Sequence, residues 1–335
     1  MTSMEMTVPP LNPGRGPAGP AILRAPAVDD PARWAAGARD ELHTALVEHG
    51  AVLVHGLGLR DPEGVAAVLG RLDVEPVAER ESFAPRQSYS PGVHSSSAWP
   101  PNQPMCMHHE LSYTLGFPRL LLFACLCAPA TGGAIGLADA ADVLEALPRG
   151  LTDRFEREGW LLARSYNGEI GATVTEAFGT DDRDAVERYC DAHSIVCSWQ
   201  PDGGLRTEQR RSAVVRHPAD GRRCWFNQIA FLNEWTLAPE VREYLVDEYG
   251  ADGLPFNTRY GDGEAIGEDV IQIVNSVYEA HTVRLPWEAG DLLLVDNIRT
   301  AHSREAYEGP RDVVVAMASP ARPGTCSPTI EVGSL

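Results

Sequence analysis

Strand-like runs at both ends of the chain and a helix-bearing centre predict a mainly β fold, one β-rich core with a large helical insertion at about 141–212. Three observations carry this. Short apolar runs occur early, in GAVLV (50–54) and LLLFACLC (120–127), and return late, in AVVRH, RCWFNQ, VRLPW, DLLLVDN and DVVVAMA between 213 and 318. The centre instead carries apolar residues at helical spacing. No internal repeat or second apolar unit is present, so residues 27–335 are read as one domain behind a loose arm, 1–26.

Taken in order, Pro31–Val47 has helical spacing, and Pro31 after Asp30 suits a first helical position behind an N-cap. Gly50–Val54 reads as a strand and Pro62–Leu72 as a short helix. Glu81–Pro101 is polar and turn-rich, a loop suited to lie over a pocket. Leu120–Cys127 is a buried strand. Ala141–Leu147, Thr152–Glu158 and Asp182–His193 read as helices, and the PDGG of Trp199–Thr207 as a turn.

Composition removes several classes of function. The net charge of -19 argues against nucleic acid, whose phosphates need a basic surface. Acidity is a solubility feature that would also suit a cationic substrate. No apolar run approaches the ~20 residues of a membrane span. The first 26 residues lack the basic start and apolar core of a signal peptide, which makes a cytoplasmic location the expectation. There is no lysine: all 28 basic residues are arginine, which excludes Schiff-base chemistry and a P-loop. The glycine runs GRGPAG (14–19) and GDGEAIG (261–267) are read as neither following a strand nor opening a helix. Seven cysteines without a second Cys or His pair at zinc spacing read as reduced, buried thiols.

The stretch MHHELSY (107–113) carries a metal pattern. On an extended strand, His108 and Glu110 share a face and His109 points the other way. One imidazole and one carboxylate suit ferrous iron, manganese or zinc. His302, between the strands DLLLVDN and DVVVAMA, supplies a third ligand. Two histidines and a carboxylate on one triangular face are typical of non-haem iron(II) oxygenases. Arg311, opening the next strand, suits a bidentate contact to an anionic co-substrate. Singly, each has a plainer reading: His302 as a core histidine, Arg311 as a surface ion-pair partner, Asp296-Asn297 as turn residues. Their joint order is harder to obtain by accident.

With these residues the sequence resembles the iron(II)/2-oxoglutarate dioxygenases of the taurine-dioxygenase and clavaminate-synthase group, nearest to the syringomycin-type amino-acid β-hydroxylases. The resemblance runs from about Gly50 to Ala318. It includes VHSSSAWPP (93–101), HHELSY (108–113), PATGG (129–133), WFNQ (225–228), WEAGDLLLVDN (287–297) and AHSREAYEGPR (301–311). It implies a double-stranded β-helix, the cupin-like jelly roll, with helical insertions. It further implies that His108, Glu110 and His302 hold Fe(II), that Arg311 binds the distal carboxylate of 2-oxoglutarate, and that dioxygen is the oxidant. Arg304 and position 135 belong to the co-substrate site by the same resemblance. There Ile135 stands where the family usually has threonine, removing a hydrogen bond worth roughly 1.5–3 kcal/mol to a charged carboxylate. His302-Ser303-Arg304 replaces the common HGR, and His109 a frequent asparagine.

Candidates for substrate contact are Arg86, Ser95, Ser96, Ser97, His109, Asn227 and Arg304. Arg86 suits a substrate carboxylate, with a surface salt bridge as the plainer reading, and the serines fit ordinary loop chemistry equally. The expected reaction is hydroxylation of an unactivated C–H bond in an amino acid or derived metabolite, free or carrier-tethered. Desaturation, cyclisation and epoxidation start from the same oxidising iron. Halogenation is disfavoured because Glu110 fills the position halogenases vacate. A non-redox metal-dependent hydrolase or isomerase, or a binding protein on the same fold, is the reading from another class. Assembly into a homo-oligomer is compatible with the sequence.

Overall fold

The computed structural model describes residues 6–7, 19–26 and 28–330. An eight-stranded sheet runs Met6–Thr7, Ala21–Arg24, Ala51–His55, Leu292–Asp296, Phe117–Cys127, Asp312–Ala321, Val93–Ser95, Ser88–Ser90. A smaller sheet, Val283–Leu285, Ile135–Asp139, Thr300–Arg304, Met105–His108, lies over it. Apart from the parallel pairing of Ala21–Arg24 with Ala51–His55, neighbouring strands in both sheets are antiparallel. The two form a jelly roll.

Strand periodicity explains how the large sheet serves two layers. Leu120, Leu122 and Ala124 face one way, with Leu292, Leu294, Val314 and Ala316, and meet Ala35, Leu42, Val65 and Val68 of two helices. These helices are Pro31–His49 and Pro62–Leu69. Each begins with Pro behind an aspartate cap: Asp30 accepts from Arg33 N and Asp61 from Gly64 N. The first ends at Gly50, φ +74°, where a Cβ would lie 2.6 Å from Thr300 Oγ1. Leu121, Phe123 and Cys125 face the other way, with Val313, Val315 and Ile135 of the inter-sheet core.

The structure corrects the sequence reading in four places. Ala21–Arg24 is a strand with Ala21 and Leu23 fully buried, so the end of the expected loose arm belongs to the core; much of the rest, GRGPAG up to Ala18 included, lies outside the described residues. The segment 141–212 contains helices but also the strands Trp160–Tyr166, Val196–Trp199 and Leu205–Arg211, which join Asn257–Tyr260 in a third sheet. Helices Pro239–Tyr249 and Glu268–His281 were not foreseen, although the second buries Ile271, Val274 and Tyr278 at helical spacing. GDGEAIG does follow a strand and precede a helix. That strand pairs antiparallel with Trp160–Tyr166, whereas a dinucleotide-binding unit needs parallel strands. All seven cysteines are free, but only Cys125, Cys190, Cys224 and Cys326 are buried; Cys106, Cys127 and Cys197 are half-buried, so the expectation of buried thiols fails for these three.

Candidate metal centre

Two strands of the smaller sheet bring the histidines together. Met105–His108 pairs antiparallel with Thr300–Arg304 so that His108 and His302 are direct partners, their ring centroids 4.3 Å apart. The first strand ends at His108, and Glu110 lies in the turn beyond it, before Leu111 at φ +53°. Strand periodicity therefore does not place the carboxylate by itself. Asn297 does: its Oδ1 accepts from Glu110 N at 2.8 Å, and its Nδ2 donates to the carbonyls of Glu110 and Pro118, both at 2.8 Å. One ligand atom from each of His108, Glu110 and His302 lies within 4.8 Å of the others, and all three residues are buried.

The donor set suits a divalent ion. His108 Nδ1 lies 2.8 Å from the Cys106 carbonyl, which fixes that nitrogen as the donor and leaves Nε2 as a free acceptor. Burial pushes both imidazoles below the ordinary histidine range, keeping them neutral as ligands must be. Burial is the largest influence on Glu110 and acts against its ionisation, but the charge and hydrogen bond of Arg86, with His108 and His94, together outweigh it and hold the carboxyl below its usual range. Glu110 Oε1 and His302 Nδ1 are buried without a hydrogen-bond partner. A carboxylate oxygen left so inside a protein is costly unless something binds it, and a metal ion is one such group. Phe231 stacks on His108 at 4.5 Å and Phe123 lies 5.0 Å from His302, walling the centre with apolar surface.

A cavity of about 50 Å³ opens beside these ligands, lined by Arg86, Ser96, Ser97, Ile135, Arg304 and Arg311 together with Phe123, Val313 and Val315. Arg311 Nε is buried without a partner. Burial, and then Arg304, push its guanidinium down to about 10, so it stays charged at neutral pH. Arg304 is turned toward the loop, donating to the carbonyls of Pro100 at 2.8 Å and of Gln103. Ile135 pairs in register with Arg304 and puts its apolar side chain on the wall.

Three expected substrate contacts fall elsewhere. His109 is fully buried on the far side of its backbone, its Nδ1 2.5 Å from the Asn297 carbonyl and its ring against Phe226. Asn227 uses its amide on backbone groups, donating to Ala213 O across the adjoining hairpin and accepting from Ile229 N in its own turn, both at 3.1 Å. Ser95 accepts from Gln87 N and braces the loop. Arg86 does reach the cavity, but it already has a carboxylate: NH2 donates to Glu110 Oε2 at 2.9 Å and Nε to Ser97 Oγ at 2.9 Å, with Glu79 at 3.6 Å. Phe123, Val313 and Val315 were not named as site residues, yet they share a strand face with the inter-sheet core, and period-two counting would have found them.

A jelly roll enclosing a buried His–Glu–His group, with an arginine that has no carboxylate partner among the described residues, is the architecture of a mononuclear metal oxygenase. The chain belongs to the taurine catabolism dioxygenase TauD, TfdA family, whose pattern matches residues 16–317. It is an enzyme of that dioxygenase family. It is 32% identical over 278 residues to the dapdiamide synthesis protein DdaC of Enterobacter agglomerans, covering 83% of this chain and 84% of that one. A clavaminate synthase-like protein of Arabidopsis thaliana is 26% identical over 287 residues, covering 82% and 83%. In fold the chain is similar to PvcB, an Fe, alpha-ketoglutarate dependent oxygenase from an isonitrile synthetic pathway, with TM-score 0.53 and 14% identity over 95% and 94% of the two chains. No described helix is long and apolar enough to cross a membrane.

Proposed function

We propose that His108, Glu110 and His302 hold Fe(II), that Arg311 holds the distal carboxylate of 2-oxoglutarate, and that the enzyme hydroxylates an unactivated C–H bond of an amino acid or amino-acid-derived natural-product intermediate. The observation that carries this reading is the convergence of the three buried ligands on one cavity whose wall holds an arginine with a buried Nε that has no hydrogen-bond partner among the described residues. Bound iron supplies, with dioxygen and the 2-oxo acid, the oxidising power to break the C–H bond while 2-oxoglutarate leaves as succinate and carbon dioxide.

The protein's own part is binding, orientation and exclusion of water. Arg311 offers a planar fork to a carboxylate from a site where burial strengthens the contact. Phe123, Val313, Val315 and Ile135 keep the wall apolar, and Arg304 holds the 99–103 loop through its carbonyl contacts. Ser96 and Ser97 bring polar atoms from the opposite loop for a substrate, free or carrier-tethered. The natural-product setting is supported by the names of DdaC and PvcB, which place those proteins in dapdiamide synthesis and an isonitrile pathway. A cytoplasmic enzyme, alone or as a homo-oligomer, fits this role.

Anaerobic reconstitution with Fe(II) and 2-oxoglutarate tests the proposal. A weak visible charge-transfer band is expected, followed on oxygenation by substrate-dependent succinate with a member of an amino-acid panel. A site that prefers zinc and gives no band would favour the hydrolytic reading instead.

A further inference from the structure

Arg86 has a place that substrate binding does not explain. Glu110 is the one charged member of the three-ligand group, and the oxygen Arg86 holds, Oε2, is the same one that lies 4.0 Å from His302 Nε2. Arg86 is also fixed. Its side chain is 4% exposed, Ser97 Oγ takes its Nε, Glu79 lies 3.6 Å away, and it leaves the loop only by abandoning these contacts. Two further titratable groups lie nearby: Tyr113, which burial holds in its protonated form, and His94, which burial, then Arg86, push toward the neutral form. The cavity wall carries three guanidiniums, of Arg86, Arg304 and Arg311, against the single Glu110 carboxylate, and the Glu79 carboxyl behind Arg86 is pushed toward its neutral form, chiefly by burial. Neither Arg304 nor Arg311 has a carboxylate partner among the described ion pairs.

We propose that Arg86 is a positioning residue that holds Glu110 and, as a fixed counter-charge, makes divalent-ion binding depend on the dianionic co-substrate. This rests on the iron and 2-oxoglutarate reading above. A cation approaching two neutral imidazoles and a carboxylate already paired with a guanidinium meets little net attraction, and the wall beyond repels it. A dianion on the same wall reverses that balance. The two ligands then promote each other's binding, and by linkage the effect is the same in either direction.

The test is Mn(II) titration of the full-length protein by calorimetry, without and with saturating 2-oxoglutarate, free of oxygen and turnover. In the wild type the co-substrate is expected to tighten Mn(II) by at least about tenfold, within the usual range of coupling between sites. Arg86→Gln, which keeps a donor but removes the charge, should bind Mn(II) alone more tightly and reduce the coupling to about threefold or less. Arg86→Lys should retain the wild-type coupling, and Ser97→Ala should fall between. Circular dichroism establishes that each variant is folded. Weaker Mn(II) binding in Arg86→Gln with unchanged coupling would make Arg86 a mere brace for Glu110 and overturn this inference alone. Loss of coupling in Arg86→Lys as well would overturn the charge argument. A wild-type protein that binds neither Mn(II) nor Fe(II) would overturn the iron reading together with this one.

Discussion

Leu122 and Phe123 are neighbours in one strand, yet they look onto two different chemistries. Leu122 faces the layer closed by Pro31–His49 and Pro62–Leu69, an interface of Leu, Val and Ala side chains. Phe123 faces the smaller sheet, where its ring touches His302 and where Glu110 Oε1, Arg86 NH1 and Arg311 Nε are buried without partners. The first face is finished by folding. The second is finished only when something charged binds, and that difference separates a surface built for stability from one built for function.

The largest expected effect breaks the second face. His108→Ala, Glu110→Ala or His302→Ala should each abolish turnover and weaken Fe(II) binding by more than about 100-fold, the upper end of what losing a mere outer partner costs. Equilibrium dialysis against Fe(II) reads this, and iron retained in any one of them would strike that residue from the ligand set. On the first face, Leu122→Ala should lower unfolding free energy by about 2–5 kcal/mol in a urea titration while leaving iron affinity unchanged in the folded protein. A change in iron affinity there would show that the two faces are not separable.

Arg311→Gln should raise the 2-oxoglutarate dissociation constant by about 10–100-fold, as expected for losing a charged contact of about 1.5–3 kcal/mol, with iron binding kept. Ile135→Thr is a gentler probe of the same wall. Introducing the hydroxyl should tighten 2-oxoglutarate by about tenfold, the lower end of what a hydrogen bond of about 1.5–3 kcal/mol to a charged carboxylate is worth, and no change would mean that the backbone here holds position 135 out of reach. Smallest of all, His109→Asn should alter iron affinity by less than about threefold, because His109 faces Phe226 and the Asn297 carbonyl rather than the cavity. Loss of iron in His109→Asn with retention in His108→Ala would reverse the assignment of the two histidines.

Much of this was legible in the residues because it is local. Short apolar runs mark the strands Phe117–Cys127, Leu292–Asp296 and Asp312–Ala321, and the pair Asp30-Pro31 marks the start of the first helix on the outer face. The helix Glu268–His281 carries a local signal too, in Ile271, Val274 and Tyr278 at helical spacing, although no side chain caps its start. Ala21–Arg24 had too little: four residues in a proline- and glycine-rich stretch become a strand only because Ala51–His55 offers an edge to pair with. The strands of the insertion sheet were hidden similarly, since Leu205–Arg211 is polar at most positions and is stabilised by pairing on both sides.

The centre divides along the same line. The amino-acid sequence by itself determined which residue types are present, the strand phase that turns His109 away from His108, and the absence of lysine that removes whole mechanisms. Only the tertiary structure decided that Glu110 reaches the histidines from outside the strand, since that depends on the Asn297 side chain, which lies far along the chain. It likewise decided that Arg86 meets Glu110 instead of standing free, and that His109 and Asn227 serve the backbone. The reason is physical: periodicity fixes which way a side chain points from its own strand, whereas a partner is chosen by what the folded chain brings within about 3 Å.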